Sequence, residues 1–194
     1  GKIVDLDRHI FRNVCRFIKL VRENYGTELQ VCVNTSIVSM LKNSFVEDYA
    51  AICDQYDVKR DQIIIEFREV LEKDSDKLAS VIEALNKCGF LCSLANFGGK
   101  CSISASFQCF PLAMFKLDKD LVKNVVNAQN QHTILKNAFE MAKVFAIQTG
   151  IKGVDTKEQL SLLSLCKCDC IQGAIFAKSM AQGDFLQWLS AQIN

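Results

Sequence analysis

The sequence predicts an α/β fold in which a parallel sheet is covered by helices. Three observations lead there. Short β-branched, apolar runs alternate with segments of helical periodicity along the whole chain. One Pro and nine Gly in 194 residues leave no flexible interdomain linker. Hydrophobic residues make up 49% against 23% charged, enough apolar surface to offset chain entropy, which excludes disorder.

The elements follow in order. Residues 4–24 place Ile10, Val14, Phe17, Ile18 and Val21 at helical spacing. Leu29 to Val33 reads as a strand, and 44–56 as a helix with Phe45, Tyr49 and Ile52 on one side. Gln62-Ile63-Ile64-Ile65-Glu66 is strongly β-branched and reads as a buried strand. Residues 75–87 form an amphipathic helix ended by Gly89. Phe90 to Leu94 is a strand, 102–109 a short helix before Pro111, and Leu112 to Leu117 a strand. A long helix over 130–145 precedes a strand at Ile147 to Ile151. A helix at 157–165, a strand at 169–173 and a helix at 182–192 close the chain. Both a doubly wound sheet and a (β/α)8 barrel fit this alternation, though six strands are two short of the barrel.

Composition also excludes functions. A formal charge of +1 argues against binding a nucleic-acid polymer or an anionic membrane by bulk electrostatics. No apolar run approaches the roughly 18 residues that cross a bilayer. The first residues lack the apolar core of a signal peptide, so the chain is expected in the cytoplasm. The ten Cys are then read as reduced thiols used as small hydrophobes. Cys166, Cys168 and Cys170 alternate, but His9 and His132 are remote, so a strand start with buried thiols is preferred over a metal site. Phe107, Phe110 and Phe115 are assigned to the core and Trp188 to helix packing, while Arg8, Arg12 and Arg16 form a solvated stripe.

In a barrel, chemistry gathers at the C-terminal ends of the strands. Those ends carry Asn34; Glu66 with Arg68 and Glu69; Ala95-Asn96-Phe97-Gly98; Lys116 with Asp118; Lys152-Gly153-Val154-Asp155; and Gln172-Gly173. Their order is recognisable. Val33-Asn34-Thr35-Ser36 resembles a VNLS motif and Ile65-Glu66-Phe67-Arg68-Glu69 an LEITE motif. Leu94-Ala95-Asn96-Phe97-Gly98 stands where LDDFG is expected, and Pro111 with Lys116-Leu117-Asp118 resembles LP followed by KID. Ile151-Lys152-Gly153-Val154-Asp155-Thr156 stands where AEGVET is expected, and Ile171-Gln172-Gly173 resembles VQGY. In this order and spacing the chain resembles the EAL domain family, the cyclic di-GMP phosphodiesterase fold.

The resemblance implies a TIM-type (β/α) barrel, incomplete, with about six of eight strands, and residues 1–194 as a single truncated EAL-like domain. It places the eponymous EAL segment before Gly1. In active members acidic residues and an Asn hold two Mg²⁺ or Mn²⁺ ions, which activate the water that opens one phosphodiester to give linear pGpG. By resemblance Asn34 and Glu66 are the vestigial metal ligands, Lys116 is a catalytic or water-orienting cation, and Gln172 supports the site. The aspartate pair falls on Ala95 and Asn96, and the glutamate of AEGVET on Lys152. An ammonium there replaces an anionic ligand, and Lys152 or Lys116 is expected to pair with Glu66 in the metal's place.

The resulting expectation is a catalytically inactive, metal-free domain with a regulatory or protein-interaction role in bacterial cyclic di-GMP signalling. The alternatives are a non-hydrolysing cyclic di-GMP receptor, with Asn34, Glu66, Lys116, Lys152 and Gln172 as ligand contacts and Lys100 as a further phosphate attractor, and a metal-dependent phosphodiesterase. Unpaired strands at both ends of an incomplete barrel predict a homo-oligomer or a partner protein that covers them.

Overall fold

The computed structural model describes residues 1–68, 74–97, 110–117, 119–120, 129–164 and 168–193. Helix α1 (Lys2–Tyr25) buries Phe11, Cys15, Ile18 and Val21, one stripe at helical spacing, and stops where Gly26 turns left-handed at φ 61°. Then come β1 (Val31–Asn34), α2 (Ile37–Met40), α3 (Phe45–Tyr56), a 3₁₀ turn (Arg60–Gln62) and β2 (Ile63–Phe67). Helix α4 (Ser75–Lys87) leads to β3 (Leu91–Phe97) and β4 (Met114–Leu117). The chain continues through α5 (Gln129–Val144), β5 (Gln148–Lys152), α6 (Lys157–Ser164), β6 (Cys170–Gln172) and α7 (Gln182–Ile193).

All five strand pairings are parallel, in the order β1-β2-β3-β4-β5-β6. The order never reverses, as it must at the switch point of a doubly wound sheet, so the sheet is an arc of a barrel. Its curl is visible in one contact. A flat sheet would hold β2 and β5 about 14 Å apart, three spacings of about 4.8 Å. Yet Glu66 on β2 and Lys152 on β5 touch.

Side chains alternate across each strand, so the register separates two faces. On the convex face Val33, Ile63, Ile65, Phe67, Cys92, Leu94, Phe115, Leu117 and Ile151 join the core with helix residues. The helices supply Ile52 and Tyr49 from α3, Ile82 and Leu85 from α4, and Leu135 and Phe139 from α5. On the concave face stand Cys32, Asn34, Ile64, Glu66, Ser93, Met114, Lys116, Lys152 and Gln172, aligned across the paired strands.

Several boundaries differ from the sequence expectation. β1 begins at Val31 rather than Leu29, because Leu29 and Gln30 are held from the side: Gln62 Nε2 donates to Leu29 O and Gln30 Nε2 to Asp61 O. β3 runs on to Phe97 through a register shift at Leu94–Phe97, where Asn96 takes φ 59°. β4 begins at Met114, and α2 was not expected. Helix α2 exists because Ser36 Oγ accepts from Val38 N and the buried Asp7 of α1 accepts from Ser36 N and Ser39 Oγ. Phe110 and Phe115 are core residues, whereas Trp188 is 37% exposed beside Phe185, which meets Phe17 of α1. Arg8 is not merely solvated, since it pairs with Asp48 of α3. The seven described cysteines are free thiols. The expected helix at 102–109, and Glu69, Gly98, Lys100, Phe107, Asp118 and Cys166, lie outside the described residues.

Candidate functional site

Three strands send charged side chains to one point on the concave face. Glu66, near the end of β2, is 2% exposed. Lys116 of β4 reaches it from one side, its Nζ 2.7 Å from Glu66 Oε2. That approach is a close ion pair off the ideal hydrogen-bond angle, since Oε2 has no aligned hydrogen-bond partner among the described residues. Lys152 of β5 donates from the other side to Glu66 Oε1. Both carboxylate oxygens are therefore engaged by ammonium groups.

The path of Lys116 depends on its neighbour. Gly150 is in register with Lys116 on the adjacent strand, and a Cβ there would stand 2.7 Å from Lys116 Cγ. Only glycine leaves the lysine stem room to cross toward Glu66. Gly173 has a similar duty, because a Cβ on it would lie 1.8 Å from the Val154 carbonyl oxygen. That contact packs the turn after β6 against the turn after β5, where Gly153 N donates to Gln172 O at 2.8 Å. At the opposite end of the arc Thr35 N donates to Glu66 O at 2.8 Å. The strand ends that carry the candidate residues are thus tied to one another by backbone bonds.

Electrostatics agree with the contacts. Burial pushes the Glu66 carboxyl up, but Lys116 and Lys152 outweigh it and hold the group below its ordinary value. Burial likewise pushes Lys116 down, and its contacts with Cys32 and Glu66 more than reverse this, leaving the ammonium raised. Cys170 is pushed up, mainly by burial, with Lys116 opposing.

Of the five residues proposed from the sequence, the structure joins Glu66, Lys116 and Lys152 directly. Asn34 is in register with Glu66, and Gln172 with Lys152, so both stand at the same mouth with exposed side chains. Neither shows a side-chain hydrogen bond to the triad. Sequence reasoning missed Gly150, Ser93 and Cys32. Ser93 is fully buried, in register with Glu66, and its hydroxyl has no hydrogen-bond partner among the described residues. Strand alternation and register were the signal for all three, but the register is not readable from one chain.

A family model, the EAL domain, matches residues 1–179. The chain belongs to the EAL domain family. It is similar to the cyclic di-GMP phosphodiesterase NbdA of Pseudomonas aeruginosa, 24% identical over 192 residues, covering 98% of this chain and 24% of that protein. The chain thus spans about a quarter of the length of the curated relatives it matches. Among solved structures it is similar to the EAL domain of Mycobacterium smegmatis DcpA, with a TM-score of 0.92, 22% identity and coverage of 98% of this chain and 86% of that one. It is similar as well to the PaMucR phosphodiesterase in its cyclic di-GMP complex, with a TM-score of 0.86, 19% identity and coverage of 95% and 75%. The incomplete barrel of six parallel strands is the EAL fold.

Two divalent cations need several hard oxygen donors with enough negative charge to neutralise them. Among the described residues no group of three His, Cys, Asp or Glu could hold a metal ion. Among the described residues the donors that face this mouth are the Glu66 carboxylate, already shared by two ammonium groups, and the amides of Asn34 and Gln172. Ala95 supplies no donor, and Lys152 brings a cation to the centre. This donor set does not fit a metal pair. No helix of the described chain is long and apolar enough to cross a membrane.

Proposed function

We propose that this EAL domain is a catalytically silent regulatory module of bacterial cyclic di-GMP signalling, in which lysines have taken the place of the metals. One observation carries this reading: both oxygens of Glu66, the one carboxylate of the triad, are bound by Lys116 and Lys152. An ammonium on that carboxylate competes with a divalent ion for the same lone pairs and repels it at close range. Metal activation of water at this mouth would first require both ion pairs to break, leaving the buried Lys116 and the half-buried Lys152 uncompensated.

The role that remains is interaction. The six-stranded sheet ends at β1 and β6, and the outer edges of these strands are unpaired among the described residues. Open parallel edges favour association, so we propose that a second copy or a partner protein covers them in the cytoplasm. Light scattering of the purified chain tests the first of these, and a monomer at all concentrations refutes the second copy and leaves the partner protein.

Catalytic silence is tested by incubating the chain with cyclic di-GMP and Mn²⁺ or Mg²⁺ and resolving products by chromatography. The expected result is unchanged cyclic dinucleotide. Accumulation of pGpG overturns the reading.

A further inference from the structure

Away from the mouth, two of the free thiols meet. Cys15 lies in the buried stripe of α1 between Phe11 and Ile18, and Cys53 lies near the end of α3. Both are 0% exposed, and their thiols are in side-chain contact where α1 packs on α3. A disulfide demands side chains that point at each other at short range, and two thiols in contact meet that demand.

The two thiols are not equivalent. Cys53 is held below its ordinary value by donation from the Cys15 thiol, with the Arg60 guanidinium helping, against burial and the Asp54 carboxylate. Cys15 is raised in turn, by the same contact and by burial. Cys92 shows what burial alone does, since its thiol is pushed up to about 12. The thiolate is the nucleophile in thiol oxidation, so Cys53 is the attacking sulfur and Cys15 the resolving one. The neighbourhood of the pair reaches the surface. Arg60, whose charge acts on Cys53, is 30% exposed, and Asp54, next to Cys53 in α3, is 64% exposed; the two form a surface ion pair. Local opening at this end of α3 admits a small oxidant.

We propose that Cys15 and Cys53 are a reversible redox pair, which a hydroperoxide converts to a disulfide that braces α1 to α3. The Cys53 sulfur attacks the outer oxygen of the hydroperoxide, the O–O bond breaks, and the alkoxide leaves and takes up a proton as the alcohol. Cys53 is then a sulfenic acid. The Cys15 sulfur attacks the Cys53 sulfur, the S–O bond breaks, and hydroxide leaves with the Cys15 proton as water. Two thiols together lose two electrons, and the hydroperoxide takes them. An added dithiol reverses the step by exchange. The cross-link closes a loop of chain that contains α2 and β1, the edge strand of the sheet.

The test uses the reduced whole chain, treated with hydrogen peroxide, quenched with an alkylating agent in denaturant and mapped by non-reducing mass spectrometry. The exposed Cys88 is the internal reference. A Cys15–Cys53 cross-linked peptide is expected at the peroxide dose that consumes Cys88, and dithiothreitol should abolish it. The cross-linked chain should melt roughly 4–16 °C above the reduced one. Cys53→Ala, which cannot form the bond, should show no such rise. Should that variant fail to fold, the map and melt of the parent chain decide alone. Recovery of Cys15 and Cys53 as two alkylated thiols after Cys88 is spent overturns the inference. Cross-links from either residue to another cysteine overturn it too, as does a cross-linked chain that melts no higher than the reduced one.

Discussion

Replacing Glu66 by Gln keeps the shape of the side chain and removes its charge. Two lysines then face a neutral amide, one of them only 5% exposed. Removing one partner of a buried ion pair strands the other charge, at a cost of about 3–5 kcal/mol. Lys116 carries that cost, because it has no route to water, whereas Lys152 at 19% exposure relieves part of its own by turning outward. For a chain of this size each kcal/mol moves the midpoint by about 2–4 °C, so Glu66→Gln should melt roughly 6–20 °C below the parent. Circular dichroism melts and urea titrations measure this directly. The double variant Glu66→Gln with Lys116→Met should recover a large part of the loss, since it removes the stranded charge. A single variant that melts within about 2 °C of the parent, or a double variant no better than the single, refutes the account of Glu66 as the counter-charge of both lysines.

Further outcomes follow from the same geometry. Lys152→Met leaves the Lys116–Glu66 pair whole, so it should cost no more than about 1.5 kcal/mol in a urea titration. Gly150→Ala pushes the Lys116 stem away from its path and should destabilise the chain by about 1–3 kcal/mol, read in the same titration. Asp7→Ala removes the acceptor for Ser36 N and Ser39 Oγ and should cost about 1–2 kcal/mol, with faster amide exchange in α2. The triad also sets a pH window. Glu66 is depressed below its ordinary 4.5, so its stabilisation is fully present above that value and is lost as pH falls through the lower folded value. Lys116 is raised above 10.5, so its share is present below that value and lost as pH rises through the higher folded value. Melts from pH 3 to 11 should show a plateau, and Glu66→Gln should flatten the acid limb.

The strands and helices were legible because their signals are local. The run Ile63-Ile64-Ile65 has β-branched character wherever it is placed, and Leu78, Ile82 and Leu85 share a helix face by spacing alone. The order of the strand-end motifs pointed to the EAL fold, and the family match over residues 1–179 agrees. Helix α2 was not legible, because its stabilising acceptor, Asp7, lies 29 positions from Ser36. The start of β1 was misplaced for a similar reason: Gln62 and Asp61 hold Leu29 and Gln30 from a later segment.

From the sequence alone come the residue types at the mouth: one glutamate, two lysines, and an alanine in place of an acid. Whether those lysines point to water, to a ligand or to the glutamate is a question of three dimensions. Lys152 and Glu66 are 86 positions apart, on strands that a flat sheet would hold too far apart to touch. The curl of the sheet, set by packing helices against its convex face, brings β2, β4 and β5 to one point. Local periodicity can specify each strand, but only closure of the arc decides which charges meet.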